Sequence, residues 1–306
     1  MQTTILSSLA RSGLSWTSKI LSFADGVLAR DEQVLSRSSL ILNKYKWEKF
    51  YWNLYVNSEN EDNYIKYFQN EIKNDFTFTG ISDVKDIKDL NFLLRRKGRC
   101  IWRKIKNFNH QIIADRALLS MEWLHQKFDA NIVIIIRHPA SYVGSCIRQG
   151  YFFDFEREIM DQKNLVNNLF KEYLDEINGV IIGKNDILSQ HSLLWKIMYS
   201  LVAEYEKKYD NWTIIRLEDI NKNPLGEFEK LYNKLGLEFT EFCRQKVIEY
   251  STDSKTETPS NGIDDDKRNS KEMIKAWQKL PTKDVSKIRS IVDPVSIRWY
   301  GNSDWR

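Results

Sequence analysis

The chain has 306 residues, enough for one large α/β domain, and its 42% apolar and 13% aromatic content can fill a core. A net charge of +4 is too small and dispersed to require nucleic acid, yet it suits a polyanionic small molecule. Cys100, Cys146 and Cys243 lie far apart without paired spacing, which argues against a disulfide framework and a zinc site; no apolar run reaches bilayer length and no basic region precedes an apolar signal core, so a soluble cytoplasmic protein is expected.

The first stretch reads as strand, loop and helix. A β-rich run, Thr3-Thr4-Ile5-Leu6, gives way to small residues up to Gly13, and helical spacing follows at Leu14, Ser18 and Leu21. Such a unit points unpaired N–H groups of a helix start into the loop, where they and the helix dipole favour phosphate. Against the triphosphate loop G-x-x-x-x-G-K-[ST], Ser8 stands at the first Gly, Gly13 is kept, Leu14 replaces the Lys and Ser15 keeps the hydroxyl. Positive charge sits instead at Arg11, and the indole of Trp16 follows. Arg11-Ser12-Gly13-Leu14-Ser15-Trp16 suits a nucleotide with one buried 5′ phosphate group and a base available for stacking; an ordinary solvated turn is the competing reading.

The first helix is expected to end near Asp25-Gly26, and Val27-Leu28-Ala29 to form a short second strand running into Arg30-Asp31-Glu32. One helix and one strand return Glu32 to the sheet edge that carries the loop. It is a candidate general base there, with Asp31 as the competing carboxylate and pairing to Arg30 or Arg37 as the structural alternative. From Leu40 to Phe76 the chain is aromatic and partly helical in spacing, which reads as packing onto the sheet, with stacking on sugar rings as the alternative. Arg95-Arg96-Lys97-Gly98-Arg99 with Arg103, Lys104 and Lys106 is the most basic stretch, either a solvated face or a hold on an anionic acceptor.

Gln111 to Arg116 reads as a strand and Ala117 to Phe128 as a helix. Asn131 to Arg137 is a β-branched run typical of a strand buried on both faces, stopped by Pro139 before the next helix. Arg137 therefore sits at the carboxyl end of a central strand, where open α/β sheets collect ligands, and Ser145 lies eight positions on. Tyr151 to Gln190 is a helical, aromatic-led insertion, and His191 to Tyr209 carries a core-facing stripe. The four histidines form no ligand cluster; for His138 a structural role at the strand end is expected. Thr252 to Ser270 reads as a mobile loop, and Lys271 to Trp277 and Thr282 to Val292 read as helical.

Taken together, Arg11 to Trp16, Arg137 with Ser145, Arg216-Leu217-Glu218-Asp219-Ile220, and the later Leu235-Gly236-Leu237 resemble, in order, the motifs of bacterial-type sulfotransferases that use 3′-phosphoadenosine 5′-phosphosulfate (PAPS). The resemblance implies a three-layer α/β fold with a mostly parallel central sheet flanked by helices, P-loop-like, as one domain over residues 1–306 with helical insertions at about 40–76 and 151–190. It implies that Arg11, Ser12, Gly13, Leu14, Ser15 and Trp16 bind the 5′-phosphosulfate end, that Arg137 and Ser145 bind the 3′-phosphate, and that Arg268 closes over it. Glu32 and Arg11 would be catalytic, PAPS the co-substrate, a carbohydrate or glycoconjugate hydroxyl the acceptor, and no metal is needed. Leu14 and Leu217 replace the usual Thr and Tyr, and Ala114-Asp115-Arg116 keeps only the Asp of the usual Lys-Asp-Pro, with Arg116 the one cation able to stand in for the Lys. A nucleotide kinase and a catalytically silent nucleotide-binding scaffold are the alternatives.

Overall fold

Five apolar runs pair side by side into one sheet. These are β1 (Gln2–Ser7), β2 (Val27–Arg30), β3 (His110–Asp115), β4 (Asn131–Ile136) and β5 (Thr213–Arg216), in the order β2-β3-β1-β4-β5, with every neighbouring pair parallel. The computed structural model describes residues 1–30, 47, 49–73, 84, 87–183, 186–251 and 275–306.

Parallel strands need crossovers, and crossovers cover both faces, so the central strands are apolar without alternation. In β4, Ile132, Ile134 and Ile136 enter one core with Ile5 and Ile113, while Val133 and Ile135 enter the other with Leu6, Ile112 and Ala114. The second of these faces is covered by α1 (Leu14–Leu21), α8 (Leu217–Lys222), α9 (Pro224–Lys234) and α10 (Glu241–Ser251), through Ile20, Ile220, Phe228 and Val247. The first is covered by α2 (Ile65–Ile72), α4 (Met121–Phe128), α5 (Pro139–Arg148), α7 (Ile187–Lys208) and α11 (Thr282–Ser296), through Phe68, Leu124, Val143, Trp195 and Val292. The remaining long helices are α3 (Ile87–Lys106), next to the β2 edge, and α6 (Leu174–Ile182) in the insertion. The result is the mostly parallel three-layer arrangement expected from the sequence, with its carboxyl edge switching direction between β1 and β4.

Boundaries differ where side chains compete with the backbone. α1 stops at Leu21, short of Asp25-Gly26. The helix expected from Ala117 opens as a 3-10 turn, Leu118–Ser120; there the Ser120 hydroxyl donates to the Leu54 carbonyl at 2.6 Å and accepts from the Val56 N–H at 3.0 Å, tying this corner to the aromatic segment. α7 starts at Ile187 instead of His191, because Asp186 caps it by accepting from the Ser189 N–H at 3.0 Å. Within 151–190, π-helical turns at Glu156–Met160 and Val166–Phe170 interrupt the regular helix expected there. Phe50, Tyr55, Tyr67 and Phe68 are buried in the first core, so packing accounts for them. The 252–270 loop, with Arg268, lies outside the described residues.

The chain end locks onto the strand carrying Arg137. The His138 ring, 2% exposed, stacks on Trp277 at 4.9 Å and meets the rings of Tyr300 and Trp305 edge-on at 5.0 and 4.4 Å. Burial pushes its imidazole down to about 3, and burial pushes His191 down to about 4, so both are neutral in the fold. Below an unfolded value of 6.5 the denatured chain takes up protons that the fold refuses, so stability falls as pH drops from 6.5 toward 4, by about 1.4 kcal/mol per pH unit for each such histidine. Urea unfolding across that range should show this slope. Because neither ring nitrogen of His138 has a hydrogen-bond partner among the described residues, His138→Phe should leave stability at neutral pH unchanged or higher and flatten the acid loss.

Candidate nucleotide-binding site

Six residues, Ser8 to Gly13, join β1 to α1. Two of them lie in the left-handed region, Arg11 at φ 64 and Gly13 at φ 84. Gly13 is required twice over: the sign of φ favours glycine, and a Cβ there would stand 2.5 Å from Leu217 Cδ1. Leu217, where the resemblance leads one to expect Tyr, is therefore a packing partner of the loop. With glycine at the N-cap and no acidic residue in the first turn of α1, no side chain of that turn neutralises the positive helix end. Ser12 is buried, Leu14 half-buried and Ser15 exposed. Trp16, 9% exposed, turns toward the second core, meets Phe228 edge-on at 5.4 Å and donates its indole N–H to the Tyr250 carbonyl at 3.2 Å.

Arg137 follows the last residue of β4, and Pro139 opens α5 immediately after it. Its guanidinium is buried beneath the loop, donating from Nη1 to the Arg11 carbonyl and from Nε to Ser141 Oγ at 2.9 Å. Its own carbonyl accepts the indole N–H of Trp195 at 2.9 Å, which fixes the strand end to α7. Burial lowers the guanidinium to about 10, opposed by Glu218, so it stays charged at neutral pH. Ser145 is buried one turn beyond Ser141, on the same side of α5. Glu218, from the segment likened to Tyr-Glu-Asp-Leu, accepts the His138 N–H at 3.0 Å and the Tyr300 hydroxyl at 2.9 Å; burial raises its carboxyl. The loop and the β4 end are thus brought together. Glu32, Asp31 and Arg268 lie outside the described residues.

A third cation joins them. Arg137, Arg11 and Arg116 all act on the Cys146 thiol of α5, opposing the burial that pushes it up to about 12. Arg116 follows β3, lies 4.6 Å over the Trp52 ring and donates to the Tyr151 hydroxyl at 3.2 Å, with no carboxylate paired to it among the described residues. Beside it a cavity of about 150 Å³ runs along Leu9 and Ala10 of the loop, walled by Trp52, Tyr151 and Phe153. The wall depends on His191, whose Nε2 donates to the Tyr151 carbonyl at 2.6 Å while Nδ1 accepts from the Tyr142 hydroxyl at 2.7 Å. A carbonyl only accepts, which places the proton of the neutral ring on Nε2. Sequence reasoning gave His191 no role; nothing in its local pattern signals one, because its partners come from α5 and the segment after it. Among the described residues no three His, Cys, Asp or Glu side chains gather as metal ligands, and no helix is long and apolar enough to cross a membrane.

No family model matches the chain, and no curated protein matches it. Solved structures similar to it include the sulfotransferase domain from the curacin biosynthetic pathway, at 13% identity and TM-score 0.49, covering 95% of this chain and 97% of that one. The sulfotransferase domain of the Synechococcus PCC 7002 olefin synthase is 10% identical with TM-score 0.47, covering 94% and 93%. Sulfotransferase STF1 from Mycobacterium tuberculosis H37Rv is 12% identical with TM-score 0.39, covering 91% and 76%. These likenesses concern the path of the chain and assign no role to any residue.

Gly13→Ala should destabilise the fold by about 2 kcal/mol, from the left-handed φ and the close approach of Leu217. In a denaturation double-mutant cycle, combining it with Leu217→Ala should cost less than the sum of the two single changes.

Proposed function

We propose that the chain binds PAPS across the crevice between β1 and β4 and transfers its sulfuryl group to an acceptor hydroxyl. The observation that supports this reading is the hydrogen bond from the buried Arg137 guanidinium to the Arg11 carbonyl, which joins the loop backbone to the end of β4 from separate parts of the chain. An anion at each end of a bisphosphorylated adenosine matches a helix-start loop on one side and a strand-end arginine on the other. On this reading Arg11, Ser12, Gly13, Leu14, Ser15 and Trp16 take the 5′-phosphosulfate end, the Trp16 contribution being its backbone N–H since its indole packs on Phe228, Arg137 and Ser145 take the 3′-phosphate, and Arg268, outside the described residues, closes over it.

In the reaction the bond from sulfur to the phosphate oxygen breaks as the acceptor oxygen bonds to sulfur in line. Arg11, Ser15 and the loop N–H groups neutralise charge growing on the leaving phosphate, and 3′-phosphoadenosine 5′-phosphate departs. Glu32, with Asp31 as its alternative, takes the hydroxyl proton. The aromatic cavity along Leu9 and Ala10 admits the acceptor, and its flat walls suit the apolar face of a sugar, so a carbohydrate or glycoconjugate is the acceptor class. A nucleotide kinase is disfavoured by Leu14 in place of the phosphate-binding Lys. A silent scaffold is disfavoured because the contact with Gly13 explains Leu217 without any loss of chemistry.

With labelled PAPS and a panel of sugar acceptors, Arg11→Ala and Glu32→Gln should each remove most transfer, by about a hundredfold or more. Arg137→Ala should weaken nucleotide binding by about tenfold or more in equilibrium titration. Tighter binding of ATP than of PAPS, or full transfer by Glu32→Gln, contradicts the respective assignment.

A further inference from the structure

The helix α3 carries its aliphatic residues on an exposed face. At 100° per residue, Ile87, Leu94, Ile101 and Ile105 form a stripe along its length, and they are 76%, 57%, 50% and 75% exposed. Arg96, 8% exposed, lies across the helix from that stripe, and Leu93, 1% exposed, lies about a quarter-turn to its side. The inward face is held by charge: Glu71 of α2 receives Arg30 Nη2 from the end of β2 at 2.6 Å and is also paired with Arg96. Among the described residues, a Cβ on Gly98, within the stripe, would meet nothing within 4 Å. The apolar face is therefore turned outward over about 27 Å of helix.

We propose that α3 seats the protein on an anionic lipid surface. The helix carries eight Lys or Arg residues and a single acid, Asp89. On the wheel, exposed Lys97 flanks the stripe on one side, and exposed Arg95 and Lys106 on the other. Aliphatic residues between two basic shores, with a half-exposed Trp102 beside them, are what a helix lying in the headgroup plane requires: the stripe enters the acyl boundary and the long cations extend to phosphate. A second copy of the chain is the wrong occupant, since pairing these faces would set basic shore against basic shore. Nucleic acid would use the cations but leave the aliphatic stripe in water. The helix is interfacial and does not span the bilayer, its mean hydropathy being far too low. This inference is independent of the proposed sulfuryl transfer.

The test is co-sedimentation of the full chain with phosphatidylcholine vesicles, with and without about one-third phosphatidylglycerol. The protein should pellet with the anionic vesicles at low salt and bind the neutral ones at least about tenfold more weakly. Leu94→Asp with Ile101→Asp, and separately Arg95→Glu with Lys97→Glu and Lys106→Glu, should each reduce anionic binding by about tenfold or more. All five positions are exposed, so circular dichroism should show the fold intact. The proposal is overturned by equal partition into both vesicle types, by no binding to either, or by variants that bind like the parent. It is equally overturned by a dimer that the Leu94→Asp, Ile101→Asp pair dissolves without any vesicle binding, or by poly-L-glutamate binding as tight as that of the anionic vesicles.

Discussion

A guanidinium placed in a protein interior must be surrounded by acceptors, and the arrangement around Arg137 follows from that requirement. Its Nη1 takes the Arg11 carbonyl, its Nε takes Ser141, and its carbonyl is pinned by Trp195. To offer that carbonyl the loop adopts a left-handed turn at Arg11, and to continue into α1 it adopts another at Gly13, where Leu217 closes the space a side chain would need. Loop shape, strand end and the start of α8 are thus one mechanical unit. The backbone at Arg11 and the side chain of Arg137 hold each other in place.

Around that unit the packing is redundant in a way that suits a rigid edge. His138 is enclosed by Trp277, Tyr300 and Trp305, so the chain end covers the residue next to Arg137. Glu218 ties the His138 backbone to Tyr300. On the other side of the crevice, His191 fixes Tyr151, Tyr151 meets Arg116, and Arg116 lies over Trp52. The cavity wall is thus built from the insertion and the aromatic segment together, and neither would hold it alone.

Much of the framework was legible because it rests on local chemistry. The β-branched run at Asn131 to Ile136 has no other stable use than a doubly covered strand, and Pro139 after it forces the turn into α5. The small residues before Leu14 announce a tight loop. Two contacts that could not be read join residues distant in sequence, Leu217 against Gly13 and His191 behind Tyr151, while the Ser141 hydroxyl four residues after Arg137 and the Asp186 cap that starts α7 at Ile187 are local contacts whose side-chain direction the pattern does not show. The basic stretch at Arg95 to Lys106 showed its charge in the sequence, but only three dimensions show that its aliphatic residues face outward. The indole of Trp16 is expected from the sequence to stack on the nucleotide base, and the structure corrects this: its ring is buried against Phe228 in the second core, with its N–H on the Tyr250 carbonyl.

The central claim is that one bisphosphorylated adenosine spans the loop and the β4 end. A crystal structure with 3′-phosphoadenosine 5′-phosphate tests it most directly. The account predicts the 5′-phosphate within hydrogen-bonding distance of the backbone N–H groups between Arg11 and Trp16, and the 3′-phosphate on the guanidinium of Arg137. A nucleotide lodged elsewhere, or one whose two phosphates contact only one of these elements, contradicts it.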